Sequence, residues 1–436
     1  MLSLKETSQA MYNWSESFRF QPEFIHKPTS IEEIVEIVNL ASSQNRKIRV
    51  IGSGHSFTPL IKTRDILLSL DHLQGVIEVN EDENTAEVWA GTKLSRLGNE
   101  LHELGYSQEN LGDINVQSVS GALLTGTHGT GINHGILATQ IEEVTVVLAD
   151  GKVTSFSRKL HPDVFPAHAL SLGLLGIVVK MKLRITPKQN FKHTSHRAEL
   201  KATLAELPSL LEKNEHFEFY AFPYSSTIQV KKMNKTSEHG SSYAFEKWKA
   251  SKLENSAFSI LSEMARRKPT WSSSISRFSA KSVPNTTMIG PSYELFSTVR
   301  SVKFNEMEYS IPRQHFEEVL EEILAMIKRE NIAVHFPIEC RFVKEDDLWL
   351  SPAYQRESAY IAVHMYKGMP YEDYFRKVEQ IFHKYDGRPH WGKLHTLTYD
   401  DVIRRYPMMP NFIKLREQMD PKDLFMNDYL SKIFAI

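Results

Sequence analysis

The sequence feature that most constrains the fold is a short apolar strand that runs into a turn with two glycines and a histidine, Val50-Ile51-Gly52-Ser53-Gly54-His55-Ser56-Phe57-Thr58. Glycine lets the backbone adopt positive φ and approach a ligand closely, and successive exposed N–H groups can cradle a pyrophosphate. Turns of this composition also end many strands that bind nothing. On these residues alone, a binding turn and a plain turn both remain open.

The segment before this turn predicts a helix that packs on a sheet. Thr29-x-x-Glu32 has the spacing of a capping box, and apolar residues recur behind it on one helical face. The next apolar segment, Ile48 to Ile51, predicts a strand. Helix, strand and turn together would present His55 at the carboxyl end of that strand.

Composition excludes several classes of protein. The 436 residues are 41% hydrophobic and 24% charged, which predicts an ordinary globular protein of two domains. The net charge of −1 gives no overall field that would recruit nucleic acid or a membrane surface. A single cysteine, Cys340, allows no disulfide within the chain and fits a reducing compartment. Because we find no signal-like start and no apolar run long enough to span a bilayer, we expect a cytoplasmic protein without an integral membrane segment.

Residues 105–135 are a second constraint, because they are rich in glycine and show little regular periodicity. Structureless segments of this length are uncommon inside compact domains and are usually functional. That favours backbone wrapped around a ligand over a mobile loop. Hydroxyl groups among the glycines could bond a phosphate or a ring heteroatom. The glycines are Gly105, Gly112, Gly121, Gly126, Gly129, Gly131 and Gly135, and the hydroxyl-bearing residues include Ser118, Ser120, Thr125 and Thr127.

Alternating patterns predict the strands that follow. Ile141 to Ala149 and Val153 to Phe156 predict a hairpin around Asp150-Gly151. From Ile177 to Ile185, apolar residues alternate with lysine and arginine, which predicts one buried and one solvated face. Pro187 closes this strand, and we place a domain boundary there.

The stretch from Lys231 to Lys281 holds eleven lysines or arginines against four glutamates. A nucleic-acid patch is one explanation. The charges neither form a continuous run nor alternate with regularly spaced aromatic residues. We therefore predict a solvated insertion and no nucleic-acid partner.

Two later strands carry candidate catalytic side chains. In a strand, Glu339 and Arg341 point to the same side, where a carboxylate and a guanidinium form a polar platform. An ordinary salt bridge on a solvated strand is the alternative. A second strand, Tyr360 to Tyr366, puts His364 on one face with both tyrosines, and the two polar faces converge if the strands are neighbours. After a further helix, the turn from Pro389 to Lys393 offers a lysine that could equally be an ordinary surface residue.

Four motifs in one order give the chain a family resemblance. The sequence resembles the aldonolactone and alditol oxidases among the vanillyl-alcohol-oxidase-type flavoproteins, whose FAD-binding domain is of the PCMH type. Within them it is most similar to the D-arabinono-1,4-lactone and L-gulono-1,4-lactone oxidases, and the resemblance runs over nearly the whole chain. The motifs are Gly52-Ser53-Gly54-His55-Ser56, the glycine loop from Ser118 to Gly131, the pair Glu339 and Arg341, and His390-Trp391-Gly392-Lys393.

The resemblance implies an α+β fold of two domains, an FAD-binding domain and a cap domain with an antiparallel sheet flanked by helices. The FAD-binding domain would span residues 1–187 and the cap residues 188–388, while residues 389–436 would return to the first domain. FAD would lie between the domains, with its 8α-methyl group joined to His55. No metal ion belongs to this expectation, and the oligomeric state stays open.

The resemblance also implies hydride transfer from a carbinol carbon to flavin N5, with O2 as the acceptor and H2O2 as a product. The cofactor carries this chemistry, while the protein orients the substrate and supplies charge. Arg341 and Lys393 would stabilise developing negative charge, and Glu339 would hold substrate hydroxyls and fix Arg341. In oxidases of this family the glycine that corresponds to Gly112 lies beside the oxygen-reactive flavin edge. A positive-φ turn is the alternative role for Gly112.

The motifs leave the substrate mixed between two branches of the family. Met365-Tyr366-Lys367 is similar to the lactone branch, whereas Ser118 suits polyol oxidases. We expect an aldonolactone, with an alditol as the alternative and a non-catalytic flavin- and sugar-binding protein as the alternative of another class. The resemblance assigns substrate binding to Ser118, His364 and Tyr366. It assigns cofactor binding to Gly52, Ser53, Gly54, His55, Ser56, Gly112, Ser118, Gly121, Thr125, Gly126, Thr127, His128, Gly129, Gly131, His390 and Lys393.

Overall fold

The structure is a computed structural model that describes residues 9–238, 243–298 and 300–435, with side chains described throughout except in residues 243–254. The elements up to residue 187 are β1 (Met11–Tyr12), β2 (Arg19–Phe20), β3 (Phe24–His26), α1 (Ile31–Ser43), β4 (Ile48–Ile51), β5 (Ile66–Ser69), β6 (Val76–Asn80), β7 (Thr85–Trp89), α2 (Leu94–Glu103), β8 (Tyr106–Gln108), α3 (Val119–Leu123), β9 (Ile141–Val147), β10 (Val153–Ser157), α4 (Phe165–Ala169) and β11 (Ile177–Pro187).

The later elements begin with the long strands of a second sheet and end in helices. They are β12 (Asn190–Glu199), α5 (Leu200–Ala205), α6 (Leu207–Lys213), β13 (His216–Ala221), β14 (Thr227–Thr236), α7 (Tyr243–Arg267), α8 (Ser272–Ser282), β15 (Thr286–Pro291), α9 (Ser292–Leu295), β16 (Phe304–Pro312), α10 (Phe316–Arg329), β17 (Ile338–Val343), β18 (Ser358–Tyr366), α11 (Glu372–Lys384), β19 (Arg388–Pro389), α12 (Tyr399–Arg405), α13 (Met409–Met419) and α14 (Asp428–Phe434). Short 3-10 helices cover Leu137–Gln140, Pro269–Trp271 and Arg313–His315.

Within the described ranges the strands form four sheets. β1 and β2 make a small hairpin, and a parallel sheet has the order β3-β5-β4. An antiparallel sheet has the order β10-β9-β11-β7-β6, with β8 also paired to β11. The largest sheet is antiparallel, with the order β15-β12-β14-β13-β17-β18-β16-β19. The antiparallel cap sheet expected from the resemblance is therefore present.

Two large hydrophobic cores organise the molecule. The first lies around the parallel sheet and the β9–β11 sheet, and it includes apolar side chains from the end of the chain, namely Trp391, Tyr406, Phe412, Phe425 and Phe434. The second lies between the eight-stranded sheet and the amphipathic helices α10 and α11. Val319, Ile323 and Ile327 form the buried stripe of α10, as their helical spacing predicts. The domain bounds at residues 187 and 388 stay a proposal.

The strands predicted from alternation are confirmed. β9 and β10 pair antiparallel around a turn in which Gly151 has a φ of +80°. On the partly buried face of β11, Lys180, Lys182 and Arg184 pair with carboxylates, while the intervening apolar residues are buried. β17 and β18 are neighbours in the sheet, which is the condition for the predicted convergence of their polar faces.

The predicted start of α1 is wrong by one residue. The helix is capped by Ser30, whose hydroxyl accepts the Glu33 N–H at 3.2 Å, and not by Thr29 with Glu32. Glu33 instead folds back to accept the Thr29 N–H at 2.7 Å. Because Ser30 and Glu33 have the same spacing as Thr29 and Glu32, the sequence offered two overlapping capping boxes.

The prediction of a solvated insertion between residues 231 and 281 is wrong for much of that stretch. Its first residues belong to β14 in the middle of the large sheet, where Lys231 contacts Glu218 at 3.3 Å. Farther on, α7 and α8 bury Ala265 and Ile275 in the second core. Residues 239–242 lie outside the described part of the chain. None of the helices in the described ranges has the length and apolar character needed to cross a membrane.

Candidate active site

The turn after β4 lines a first cavity at the carboxyl end of the parallel sheet. Gly54 has a φ of +67°, and its carbonyl accepts the Trp14 N–H at 2.7 Å. Among the described residues, the backbone N–H groups of Ser53, Gly54, His55 and Ser56 donate no hydrogen bond. Successive unpartnered backbone donors around a cavity form a concave site for an anion.

A buried arginine in the same cavity supports an anionic occupant. Arg49 is 5% exposed and donates to the backbone carbonyls of residues on three segments, Leu60, Leu172, Gly173 and Phe425. No carboxylate pairs with Arg49 among the described residues, and burial lowers its pKa to about 10. A buried cation without a carboxylate partner is costly unless a bound anion compensates it. Sequence reasoning missed this residue, because its burial depends on contacts with distant segments of the chain.

The floor of the first cavity is packed too closely for larger residues. A Cβ added to Gly52 would lie 2.2 Å from the Ser118 Oγ, so only glycine fits beside that hydroxyl. Ser118 caps α3 by accepting the Gly121 N–H at 3.2 Å. Gly52, Ser118, Gly121 and Thr125 all line this first cavity. Ser118 does not line the second cavity described next.

The second cavity begins where the first one ends and is lined by charged side chains. His55, Ser56, Gln117 and Thr125 line both. The other residues around the second cavity are Trp14, Phe57, Asp113, Ile114, Thr127, His128, Arg300, Phe304, Glu306, Glu308, Glu339, Arg341, His364, His390, Gly392 and Lys393. An elongated ligand could therefore extend from the backbone donors of the first cavity to the charged groups of the second.

His55 stands at the junction of the two cavities as a neutral imidazole. Its ring stacks on Trp14 with centroids 5.3 Å apart and an interplanar angle of 21°. Burial, together with the positive charges of Lys393 and Lys93, lowers the pKa of His55 to about 4. A neutral ring keeps a lone pair on one nitrogen at physiological pH.

The face of the large sheet that borders the second cavity carries a buried ion network. Arg341 donates from Nε to Glu218 Oε2 at 2.7 Å, and its Nη2 lies 2.6 Å from Glu339 Oε1. The Tyr220 hydroxyl donates to the same Glu339 oxygen at 2.5 Å. Burial opposes the charge on Arg341, but Glu218 and Glu339 raise its pKa well above the usual value. Glu339 and Arg341 share a face as predicted, but this face is buried, so the alternative of a solvated strand is wrong.

Strand β16, which pairs with β18, adds Glu306, and Glu306 contacts two predicted site residues. Glu306 lies 2.5 Å from Lys393 Nζ and 3.3 Å from His364 Nε2. Burial favours its neutral acid, but the adjacent Lys393 and His364 hold its pKa well below the usual range. Lys393 is therefore anchored at the cavity wall and is not the free surface residue that the sequence left open.

Glu308, two residues along β16, faces the glycine loop. It lies 3.0 Å from His128 Nε2, and the His128 Nδ1 lies 2.9 Å from the Gly129 carbonyl oxygen. The His128 ring stacks on Tyr360 with centroids 3.7 Å apart. Burial raises the pKa of Glu308, but His128 offsets this and the pKa falls to about 2. The loop and the sheet thus meet in a buried acid and imidazole pair.

Gly112 lines neither cavity but lies next to Thr127 and His128, which line the second one. Its φ is outside the left-handed region, so the alternative of a positive-φ turn is wrong. A Cβ there would lie 3.3 Å from Thr127 Cγ2 and 3.4 Å from the His128 carbonyl oxygen. The next residue, Asp113, forms an ion pair with Arg300 at the cavity wall.

Of the remaining predicted site residues, some line a cavity and others do not. His390 lines the second cavity, and burial lowers its pKa to about 3. Tyr366 lies outside both cavities and packs against Phe336. Gly126, Gly129 and Gly131 also line neither cavity, and their missing side chains leave room for other protein atoms, such as the Leu111 carbonyl 2.3 Å from a Cβ on Gly129.

Several site residues were missed because they depend on long-range pairing. Glu306 and Glu308 enter through β16, and Glu218 and Tyr220 through β13. The usable signal was two glutamates at alternate positions in β16, on either side of the apolar Met307. Two like charges on one face of such a strand indicate a polar cavity more readily than a core.

Comparisons with known proteins agree with this geometry. A model of the D-arabinono-1,4-lactone oxidase family matches residues 181–433, and an FAD binding domain model matches residues 22–157. The chain is 35% identical to L-gulono-1,4-lactone dehydrogenase of Mycobacterium tuberculosis (strain ATCC 25618 / H37Rv), over 97% of this chain and 98% of that protein. It is 34% identical to L-gulonolactone oxidase of Mus musculus, over 97% of both chains.

A cholesterol oxidase structure from B. sterolicum superposes with a TM-score of 0.82 over 99% of this chain and 97% of that chain, at 17% identity. At that identity the likeness shows the fold alone. Fold and cavities define an FAD-dependent oxidoreductase with the vanillyl-alcohol-oxidase-type fold. Within that class, the chain belongs to the D-arabinono-1,4-lactone oxidase family.

Proposed function

We propose that the protein oxidises a carbinol group of an aldono-1,4-lactone of the D-arabinono or L-gulono type. The observation that carries this proposal is the junction at His55 between a cavity of unpartnered backbone donors and a cavity walled by buried acids and bases. The first suits the pyrophosphate of FAD, with Arg49 compensating its charge. The second suits a small, polyhydroxylated substrate, because paired donors and acceptors can each take a hydroxyl group.

FAD, when bound, supplies the hydride acceptor for this oxidation. The protein's own task is to hold the substrate and to stabilise the negative charge that appears when a hydroxyl proton leaves. Arg341, which is buried, and Lys393, which is partly buried, are cations beside the second cavity that can serve this purpose. Glu339 keeps Arg341 in place and leaves its second oxygen to accept a substrate hydroxyl.

We also propose that His55 binds FAD covalently through the 8α-methyl group. His55 is neutral, lines both cavities and makes no hydrogen bond through its ring among the described residues. A lone pair free of protein partners is what a covalent attachment at an imidazole nitrogen needs. The stacked Trp14 ring restricts the orientation of the imidazole.

An alditol is the second candidate substrate. Ser118, the residue that favoured it, caps α3 in the first cavity and so gives the alditol little support. His364 does line the second cavity and could bond a hydroxyl of either substrate. The names of the relatives include both an oxidase and a dehydrogenase. We propose O2 as the acceptor because this chain has glycine at position 112, as the oxidases that it resembles do. The cytoplasmic location stays a prediction.

Anaerobic titration of the FAD-loaded protein tests the proposal directly. L-gulono-1,4-lactone and D-arabinono-1,4-lactone should bleach the flavin absorption, while xylitol and sorbitol should do so only weakly. Faster bleaching by the alditols would favour the second candidate. If no sugar bleached the flavin, the protein would be a flavin- and sugar-binding protein, and the enzymatic proposal would fail.

A further inference from the structure

A cluster of ligand-like side chains lies outside both cavities, where the glycine loop meets the large sheet. It consists of His134, three residues after the end of that loop, Glu215, and His216 at the start of β13. His216 is fully buried, and its Nδ1 lies 2.7 Å from the Thr130 carbonyl oxygen. Since a carbonyl only accepts, Nδ1 carries the hydrogen and Nε2 presents a lone pair. That Nε2 has no hydrogen-bond partner in the described part of the chain.

The other two side chains face this unpartnered nitrogen. The His134 and His216 rings are nearly parallel, with centroids 4.8 Å apart, and both Nε2 atoms lie within 4.0 Å of Glu215 Oε1. One ligand atom from each residue falls within 4.8 Å of the others. Burial favours the neutral acid of Glu215, but His134 and Lys235 outweigh it and lower its pKa to about 2. The group therefore offers one carboxylate and two imidazoles.

Gly131 explains how three such side chains come so close. It has a φ of +131°, and a Cβ on it would lie 2.5 Å from the Glu215 carbonyl oxygen and 2.9 Å from His134 Cδ2. Only glycine can adopt that backbone conformation and leave that space. Gly131, which lines neither cavity, is thus required for this arrangement of the three side chains.

The cluster has an aqueous approach. His134 is partly exposed and lines a cavity of roughly 490 Å³. The same cavity is bordered by four acidic side chains, Glu109, Glu345, Asp346 and Asp347, and by four basic ones, Arg158, Arg184, Lys235 and Lys344. It therefore gives water and ions access to His134 without a net charge of its own.

We propose that His134, Glu215 and His216 form a binding site for a divalent transition-metal ion, with Zn²⁺ as the first candidate. Two imidazoles and a carboxylate are a common ligand set for Zn²⁺, which leaves a fourth position for water from the cavity. The contact between His216 Nδ1 and the Thr130 carbonyl is the support that ligating histidines usually have. Bound metal would tie the glycine loop to the sheet that carries Glu218 and Tyr220.

One residue competes with the ion. Lys235 Nζ lies 2.7 Å from Glu215 Oε1, and its side chain is about half exposed. Its ammonium group forms an ion pair with the carboxylate that the metal would use as a ligand. Lys235→Gln should therefore bind Zn²⁺ more tightly than the wild type, an effect that a purely structural cluster would not show.

The test is a titration of tag-free, FAD-loaded protein with ZnCl2, by calorimetry and by metal analysis after gel filtration. The wild type should take up one equivalent. His134→Ala and Glu215→Gln should each weaken binding by at least about tenfold, since ligand loss should cost at least as much as loss of an outer-shell partner. His134 is the better target because the buried His216 could be needed for folding. His315→Ala, at a partly exposed histidine elsewhere, is the matched control and should bind as the wild type does.

A second group of possible ligands, Glu306, Glu339 and His364, provides the counter-test. It lies in the second cavity, where Lys393 and Arg341 already neutralise its carboxylates. His364→Gln should leave Zn²⁺ uptake unchanged. Absence of stoichiometric uptake by the wild type, unchanged uptake in His134→Ala or Glu215→Gln, or loss of uptake in His364→Gln would each overturn the proposal.

Discussion

At the scale of single residues, His55 combines three properties that a covalent flavin link needs. It is neutral because burial and two nearby lysines lower its pKa to about 4. It is oriented by the stacked Trp14 ring. It lies at the junction of the two cavities, where a flavin ring would continue from a pyrophosphate held by the preceding turn.

We predict that His55→Ala loses covalent FAD. Wild-type protein, denatured and run on a gel, should show yellow-green flavin fluorescence in its band, and the variant should show none because the nucleophilic nitrogen is gone. His72→Ala, at an exposed histidine in the turn after β5, is the matched control and should keep the fluorescence. Release of all flavin from wild-type protein by acid precipitation would contradict the prediction.

At this scale, site residues that lie in short local motifs could be predicted from the sequence. Site residues that depend on contacts with distant segments could not. His55, Glu339, Arg341 and Lys393 lie in short motifs whose spacing is readable in the sequence, and all four line the second cavity. Arg49 was missed because an isolated arginine in a strand looks like an edge residue until its burial is known. Burial depends on segments more than a hundred residues away, so no local pattern reveals it.

At the scale of elements, the face of the large sheet depends on the register between strands. Glu306 lies opposite His364 across β16 and β18, and Glu218 lies opposite Arg341 across β13 and β17. The alternation within β17 was enough to predict that Glu339 and Arg341 share a face. The other side chains on that face are determined by pairings between distant strands. No short turn joins those strands, so the sequence does not reveal their registers.

We predict that Arg341 has a catalytic role that can be separated from its part in the ion network. Arg341→Met should slow anaerobic flavin reduction by at least about tenfold, as loss of a charge-stabilising group does. It should also lower the free energy of unfolding by about 3–5 kcal/mol, because Glu218 is left as a buried charge without its main partner. On a solvated strand the same change would alter stability little, but this ion pair is buried.

The matched control is the double variant Arg341→Met with Glu218→Gln. Removing the uncompensated carboxylate should recover part of the lost stability in urea. Flavin reduction should stay slow, because the guanidinium that contacts the substrate side of the cavity is still missing. A double variant that reduces flavin at the wild-type rate would return Arg341 to a purely structural role.

The loop that carries Gly112 makes a separate prediction about the electron acceptor. An alanine methyl group there would contact Thr127 and the His128 carbonyl at 3.3 and 3.4 Å, a tight fit that needs no change of backbone conformation. Gly112→Ala should therefore fold, bind FAD and be reduced by substrate as the wild type is. Its reoxidation by O2 should be slower, because the methyl group fills space that a small gas molecule needs.

The measurement is stopped-flow reoxidation of the reduced flavin, with turnover on an artificial dye acceptor as the control. Dye turnover should be nearly unchanged, since a dye can take electrons at the exposed edge of the flavin. Equal loss of both half-reactions, or a failure to accumulate folded yellow protein, would show that Gly112 serves packing of the loop and not access of oxygen.

At the scale of the whole molecule, the first core brings together residues from the beginning and the end of the chain. The end of the chain binds back to the first core, where the Leu424 carbonyl accepts the Ile48 N–H at 2.8 Å and Phe425 contacts Arg49. Family motifs allowed this return to be predicted, but composition and periodicity did not, because a closing contact between residues far apart leaves no local pattern.

Several buried histidines have pKa values well below the usual 6.5, and burial makes the largest contribution to the lowered pKa of each. The values are about 4 for His55, His216, His335 and His395, and about 3 for His168 and His390. In the unfolded chain each would take up a proton near pH 6.5. Between about pH 6.5 and 4 the unfolded state therefore binds more protons than the folded state, so the histidines' stabilising contribution is present above 6.5 and is lost as pH falls through that window. Asp346 acts in the opposite direction. Burial raises its pKa to about 7, so in this window the folded state keeps a proton on Asp346 that the unfolded chain has lost.

We predict that the free energy of unfolding falls steeply as pH is lowered from about 7 to about 5, with a slope of about 1.4 kcal/mol per pH unit for each proton taken up. Urea unfolding of the FAD-loaded protein at a series of pH values, with chelator present to keep the metal cluster empty, gives that slope. His168 offers the matched variant because it stacks on Phe156, lines neither cavity, and has no partner for its Nε2 among the described residues. His168→Gln cannot take up a proton when unfolded, so it should lower the slope by one proton. A slope near zero in the wild type, or an unchanged slope in His168→Gln, would show that these histidines are charged or accessible in the folded protein.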